Sequence, residues 1–352
     1  MRKAFLGMMV LVLAIVVGMS GCQKTKESAP KAGSSPQATS APSIVIKFAV
    51  GAPDTLPIYQ AAKEVFKPQI EAKSNGRIKV ELYANSQLGD DVSLIQQLRA
   101  GTLEACGPVT SPLVGVAPGF AVFDIPFLFS SPQVADKVLD GKVGQELSAT
   151  LESKGLYNLG WSEMGYRNLT NSARQVVTPA EVKGLKIRTM ENPVQLATWR
   201  LLGANPTPMP VSEVFTALKQ HAVDGQENPL SAIYGWKFYE VNKYITLTGH
   251  IYSPLLFLFS KSIFDSYPKA DQELIRQVAK ETAIRGRAIA REQDTKYLDE
   301  IQKSGLVTIT TLTPAQKKAF QDATMPIWDL VEKSAGSDLI SELKAEVAKA
   351  SE

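Results

Sequence analysis

Apolar and polar positions along this chain keep changing period. From Ile44 the run Ile44-Val45-Ile46-Lys47-Phe48-Ala49-Val50 places Ile44, Ile46 and Phe48 on one face, which predicts a strand. Residues 57–74 then carry Ile58, Ala62, Val65, Phe66 and Ile70 at helical spacing, with a kink expected at Pro68 and a stop at Asn75-Gly76. Arg77 to Tyr83 alternates as a second strand. Asp90 and Asp91 open a helix over Val92 to Arg99, where their charge complements the N-terminal dipole. A short strand is expected around Leu103 to Cys106. The stretch Gly107 to Pro132, rich in Gly and Pro, predicts irregular chain suited to lining a cleft.

A second unit of the same kind follows a helical segment over Gln133 to Ser153. Leu156 to Ser162 reads as a strand. Leu185-Lys186-Ile187-Arg188-Thr189-Met190 reads as another, after which Asn192 caps a helix, Pro193 takes its first position and Gly203 ends it. Ser212 is expected to cap a helix over Glu213 to His221, and Val223 to Asn228 makes a turn and short strand that Pro229 ends. Arg188 and Asn228 thus fall at equivalent strand-to-helix junctions, where open α/β sheets bind ligands. A guanidinium beside a helix N-terminus there favours an anion, a structural ion pair being the alternative use of Arg188. Residues 271–303 and 315–332 read as amphipathic helices. The alternation of strands and helices predicts α/β architecture with mixed or parallel sheets.

Ahead of all this, Arg2 and Lys3 precede an apolar stretch, Leu6 to Val17, too short to span a membrane, and the pattern predicts a cleaved secretory signal over 1–21. Met19-Ser20-Gly21-Cys22 resembles a lipoprotein processing box, which makes Cys22 the expected acylation site. Residues 22–43, rich in Ser, Ala, Pro, Lys and Thr, read as a flexible tether spanning about 25 Å. The expected location is the outer face of the cytoplasmic membrane, periplasmic or extracellular, held by a lipid anchor. The full chain of 352 residues has 38 Lys plus Arg against 35 Asp plus Glu, a formal +3 that is too small for a nucleic-acid surface. Two His and two Cys leave little material for zinc sites or His-based triads. With Cys22 acylated no intrachain disulfide is possible, and Cys106 is expected to be a buried thiol.

Asp224-Gly225-Gln226-Glu227-Asn228-Pro229, with Gly184-Leu185-Lys186-Ile187-Arg188 and Gly203-Ala204-Asn205-Pro206 before it, resembles the substrate-binding proteins of TRAP (tripartite ATP-independent periplasmic) transporters. Gln87-Leu88-Gly89-Asp90-Asp91, Gly165-Tyr166-Arg167, Ser212-Glu213-Val214-Phe215, Tyr239-Glu240-Val241 and Thr248-Gly249-His250 extend the resemblance in order along the chain. It implies a two-lobed α/β fold of the periplasmic binding protein type, with mixed sheets flanked by helices and with crossing strands and a long helix as hinge. The expected division is 44–165 plus about 254–293 for lobe I and 166–253 plus about 294–352 for lobe II. The resemblance places the ligand carboxylate on Arg188, with Arg167 assisting, Asn228 hydrogen-bonding the same group, and Val211 and Phe215 shaping the pocket. It also implies a monomer that delivers its ligand to the membrane subunits of a TRAP transporter. The sialate-binding branch has polar contacts where this chain has Gly51 and Val109 and an aromatic residue where it has Val211, so the ligand expected is a smaller acid. A C4-dicarboxylate, a hydroxy or sugar acid, and an aromatic or keto acid all remain open.

No cofactor, metal or nucleic acid is expected, and no enzyme. The chain has no Gly-x-Ser-x-Gly elbow, His-Glu-x-x-His helix or phosphate-cradling Gly-x-x-x-x-Gly-Lys loop, and only His221 and His250 supply imidazoles. The competing expectations are a solute-binding partner of a signalling receptor and an enzyme acting on a small carboxylic acid.

Overall fold

The computed structural model describes residues 44–352; the expected signal, the tether and Cys22 lie outside them. Nine strands form one sheet: β1 (Ile44–Ala49), β2 (Ile78–Tyr83), β3 (Ala105–Cys106), β4 (Leu156–Asn171), β5 (Lys186–Thr189), β6 (Asn205–Pro208), β7 (Gly225–Asn228), β8 (Tyr244–Ser260) and β9 (Thr308–Thr311). Their order is β2-β1-β3-β8-β4-β7-β5-β6, with β9 added beside β8. β1 pairs in parallel with β2 and β3, as β5 does with β6 and β7. Strand-helix-strand units therefore build both ends of the sheet.

Within the sheet, the two ends are joined through β4 and β8. These antiparallel strands run together from Leu156↔Ser260 to Asn171↔Tyr244, with register shifts at Asn158/Trp161, Glu163/Gly165 and Arg167/Leu169. The lower end of β8 joins β3 through Leu258 and Phe259, its upper end joins β9 through Tyr244 to Leu247, and the upper end of β4 joins β7 through Asn168 to Asn171. Each long strand thus belongs to both half-sheets, the mixed α/β, two-lobed architecture that the resemblance implies. Register shifts are sites where paired strands bend.

Helix Lys269–Lys303, 35 residues without a break, packs along β4. Gly286 permits the approach, because a Cβ there would lie 2.2 Å from Ser162 Oγ. Arg287 donates to the Trp161 carbonyl at 3.0 Å and grips Asp140 through two bonds of 2.7 Å. Arg291 bridges Glu163 and Asp136. A backbone with two irregular strands is thereby braced by one continuous rod.

Several local expectations shift for identifiable reasons. The segment expected as one kinked helix is Pro57–Ala61, a π-helical turn Ala62–Phe66, and Lys67–Lys73. The wider turn closes with the Lys67 amide donating to the Ala62 carbonyl, just ahead of Pro68, which has no amide hydrogen to donate. Ser212 does not cap its helix: Val211–Lys219 starts two residues earlier than expected, behind Pro210, with no side-chain cap. Asn192 does cap Pro193–Leu201, accepting from Val194 and Gln195 at 2.9 and 3.1 Å. The helix expected over 315–332 breaks at Pro326 into Pro314–Thr324 and Ile327–Ala335. Cys106 is a buried free thiol whose pKa burial pushes well up.

Two of the apolar clusters flank the β1 end. Phe48, Phe66 and Phe257 meet in one of them, with ring centroids 4.7–6.5 Å apart, and each ring fully buried this way contributes roughly 1.5–3 kcal/mol. In the other, Ile327, Val331, Ile340 and Leu343 share a core with Phe120, Phe123 and Leu139. The last two helices, Ile327–Ala335 and Ser337–Ala350, expected within lobe II, therefore pack on residues from 118–143.

Candidate functional site

Strands β4, β7 and β5 lie side by side, and their register brings three widely separated residues together. Asn168 of β4 faces Asn228 of β7, and Gln226 of β7 faces Arg188 of β5. Arg167, Arg188 and Asn228 consequently line one cavity of about 50 Å³. Its remaining wall comes largely from the β1 end: Gly51, Ala52, Leu56, Asp91, Gly107 and Val109, joined by Met164, Met190, Val211, Ala232, Trp236 and Leu255. Most of these are apolar, so charges inside are poorly solvated and depend on their immediate partners.

The two arginines differ in what surrounds them. Arg167 and Glu227 are both fully buried, and the Arg167 Nε and Nη2 donate to the two Glu227 carboxylate oxygens at 2.5 and 2.8 Å. Nη2 also donates to the Glu227 carbonyl and to Asn228 Oδ1, and Nη1 to Ser253 Oγ at 3.3 Å. His250 Nε2 lies 3.1 Å from the same Glu227 carboxylate, and its Nδ1 lies 2.7 Å from Thr248 Oγ1. Burial pushes the Glu227 carboxyl up, but the charge of Arg167 and the hydrogen bonds of His250 and Arg167 prevail and bring it to about 2. Arg167 is thus a neutralised, fixed cation that orients Asn228, whose Nδ2 in turn donates to Gln226 Oε1 at 2.5 Å.

Arg188 is only 2% exposed and has no such partner. Its Nε and Nη2 converge on one backbone oxygen, that of Met209, at 2.9 and 2.6 Å. Among the described residues no carboxylate lies within ion-pair distance of it. Glu227, Glu191 and Asp91 act on it only from farther off, while desolvation and the nearby charge of Arg167 pull its pKa down to about 10. A buried cation without a counter-ion is unfavourable. An anion entering the cavity relieves that condition, and a guanidinium with a free edge presents a planar fork suited to a carboxylate.

Asp90 and Asp91, one motif in the sequence, separate in the structure. Asp90 caps helix Asp91–Ala100, accepting from the Ser93 amide at 2.8 Å. Asp91 turns into the cavity, where Gly51 and Val109 amides approach its two oxygens at 3.3 and 3.4 Å. Burial pushes the Asp91 carboxyl up to about 6, against those amides and the more distant Arg188. Helix-dipole reasoning accounted for Asp90 and overlooked Asp91, for which no local sequence signal distinguishes the two. Of the other residues expected here, Val211 lines the cavity, whereas Phe215 is not in its lining and lies half-buried in a separate apolar cluster with Val214 and Leu218. Among the described residues no group of three or more His, Cys, Asp and Glu is placed to hold a metal, and no helix is long and apolar enough to cross a membrane.

Residues 48–334 match the model of a family described as bacterial extracellular solute-binding protein, family 7. A solute-binding protein of Verminephrobacter eiseniae is 40% identical over 284 residues, covering 81% of this chain and 84% of that one. Among solved structures, the sugar acid binding protein of Advenella mimigardefordensis in complex with galactonate superposes with a TM-score of 0.84 at 36% identity, covering 87% of this chain and 98% of the other. A TRAP periplasmic solute binding protein of Sulfurospirillum deleyianum with bound succinate gives 0.83 at 34% identity, covering 87% and 99%.

Proposed function

Since the chain belongs to the family 7 bacterial extracellular solute-binding proteins, those of TRAP transporters, we propose that it captures a small organic acid by its carboxylate on Arg188 and presents it to the membrane subunits of such a transporter. One observation carries the assignment: Arg188 is a buried cation in the cavity wall with no carboxylate within ion-pair distance among the described residues. The free edge of Arg188 takes the carboxylate. Asn228, held by Arg167, lies on the same cavity and adds a hydrogen bond, and the Arg167 charge adds attraction from behind its Glu227 partner.

Closure follows from where the wall comes from. Gly51, Asp91 and Val109 belong to the segments around β1 and β3, Arg188 and Asn228 to β5 and β7, and within the sheet β4 and β8 connect the two groups. We take 44–165 plus about 254–293 as lobe I and 166–253 plus about 294–352 as lobe II, with the final helices resting on lobe I. A ligand touching both groups favours the closed arrangement by its differential affinity for it, and the membrane subunits read that arrangement. Binding without chemical conversion agrees with the use of His250, which is committed to Glu227 and Thr248. The proposal includes a monomer, acylated at Cys22 and tethered by 22–43; the mass of the membrane-extracted N-terminus tests the acylation.

A thermal melt against a panel of organic acids and their amides tests the function. At 100 times its dissociation constant a ligand adds about 2.7 kcal/mol of stability. Acids should raise the midpoint and amides should not; equal shifts, or none across the panel, would overturn the reading.

A further inference from the structure

We propose that the broad cleft between the long helix and helix Lys142–Thr150 is a second ligand site, shaped for a small amphiphilic anion, a free carboxylic acid with an apolar body. It shares no lining residue with the Arg188 cavity. Its volume of about 460 Å³ falls within the roughly 300–1,000 Å³ of sites that hold whole small molecules.

The floor is the first bend of β4, Tyr157 to Trp161, where the register shifts against β8. Small residues keep it open. Ala149 lines it from one helix and Ala283 from the other, and Gly160 of the floor has no room for a side chain, since a Cβ there would sit 2.7 Å from Ala283 Cβ. Leu159 adds apolar surface, as does Ile284, which is 55% exposed. The polar side chains around this floor already serve one another. Asn158 donates to Ser148 Oγ at 3.0 Å, Ser148 to the Gly144 carbonyl at 2.7 Å, and Gln145 to the Asp140 carbonyl at 3.1 Å. A ligand body lying here needs no polar groups of its own.

The charges in the cleft are unequally used. Arg287 grips Asp140 through two bonds of 2.7 Å and so closes one end. Arg276 and Lys280, one turn apart on the long helix, also line the cleft and make no ion pair among the described residues. Arg276 is nonetheless held in place, with its guanidinium 4.9 and 4.7 Å from the ring centroids of Tyr157 and Phe264. The Tyr157 hydroxyl is itself fixed, donating to Asp265 at 3.1 Å and accepting from Lys261 at 2.7 Å. Stacking on rings leaves the N–H edge of a guanidinium free for a carboxylate. Apart from Asp140, the only carboxylate lining the cleft is that of exposed Glu152, so two uncommitted cations face one acid. From residue 276 to residue 284 the helix advances about 12 Å. Charge and apolar surface therefore lie in series along it: a carboxylate at Arg276 and Lys280, a body over Ala283 and Ile284.

Titration calorimetry with octanoate tests this in the Arg188→Ala protein, which lacks the carboxylate anchor of the other cavity and keeps the cleft intact. Octanoate should bind with a dissociation constant below about 1 mM. Octanamide, for want of charge, and acetate, for want of a body, should each bind at least tenfold more weakly. Adding Arg276→Gln and Lys280→Gln, both at exposed positions, should cost tenfold or more, and Ala149→Trp, which fills the cleft from an exposed wall position, should abolish binding. If Ala149→Trp does not fold, the paired glutamine variant decides. No octanoate binding, equal binding of acetate or octanamide, or binding untouched by the cleft substitutions would overturn the proposal. Binding seen in the wild type and lost in Arg188→Ala would place octanoate in the Arg188 cavity, overturning the second site while leaving the carboxylate anchor standing.

Discussion

Glu227→Gln separates the two arginines experimentally. The substitution keeps the shape of the side chain but removes the carboxylate paired with Arg167 among the described residues, and both residues are fully buried. Removing one partner of a buried ion pair costs about 3–5 kcal/mol, chiefly because the remaining charge is left uncompensated. The described chain, residues 44–352, has 309 residues. At about 2.1 cal/mol/K of unfolding entropy per residue, its total is about 0.65 kcal/mol/K, so the melting temperature should fall by about 5–8 °C. Scanning calorimetry of the unliganded protein at pH 7 reads this directly. Replacing both members, as in Arg167→Met with Glu227→Leu, should recover most of the loss, since apolar residues of similar volume often replace a buried pair without net cost. Glu227→Gln should also bring a second unpaired cation to the cavity wall, so a bound organic acid should raise its melting temperature more than it raises that of the wild type. A single variant that melts within a degree of wild type would show that Arg167 needs no counter-ion, and the contrast with Arg188 would lose its basis.

Three further outcomes follow from the same geometry. Asp124, fully buried, accepts from Ser111 at 2.6 Å, Gln195 at 2.8 Å and Asn192 at 2.9 Å; Asp124→Asn sets a donor against at least one of these, and denaturant unfolding should show a loss of about 1–3 kcal/mol, whereas an unchanged midpoint would contradict the network. Burial holds the Asp91 carboxyl near 6, above its ordinary value, so it is ionised above that pH and protonated below it. Because Asp91 shares the cavity with the carboxylate expected on Arg188, binding of an organic acid should weaken between pH 5 and 7, by at most about tenfold per pH unit; calorimetric titrations should lose this component in Asp91→Asn, and an affinity that is flat or rises with pH counts against it. Gly51→Ala should push Asp91 away from its place, where a Cβ would lie 2.7 Å from its Oδ1, and weaken organic-acid binding; unaltered affinity would mean that Asp91 has room to spare.

What the sequence disclosed was mostly local. β2 alternates because it shows one face to the core, and Asn192 caps its helix through bonds to residues two and three positions away. The full extents of β4 and β8 were hidden, since most of their residues are buried whichever way they point, and Gly165, Gly249 and Pro254 interrupt any period. Arg188 was marked by its position at the end of a strand. The partners that decide its role are distant: Met209 is 21 positions away, and Arg167 is bound to Glu227 across 60. Asp91 shows the same limit. Its neighbour Asp90 meets every local criterion for an N-cap, and only the approach of Gly51 from 40 positions upstream and Val109 from 18 downstream turns Asp91 toward the cavity. Pro326 was the reverse case, a break that the sequence did announce and that amphipathic spacing over 315–332 obscured.

The central claim is that Arg188 is a buried cation reserved for a ligand carboxylate. Calorimetric titration of Arg188→Ala with an organic acid that the wild type binds, alongside the melting temperature of each unliganded protein, tests it most directly. Removing a buried Arg that pairs with a ligand anion costs about 2–5 kcal/mol of binding, roughly a 30-fold to several-thousand-fold loss. The unliganded variant should melt at or above the wild-type temperature, because an uncompensated charge has been removed from the interior. Binding that survives the substitution, or an unliganded protein markedly less stable without Arg188, would contradict the claim and assign Arg188 to the structure instead of the ligand.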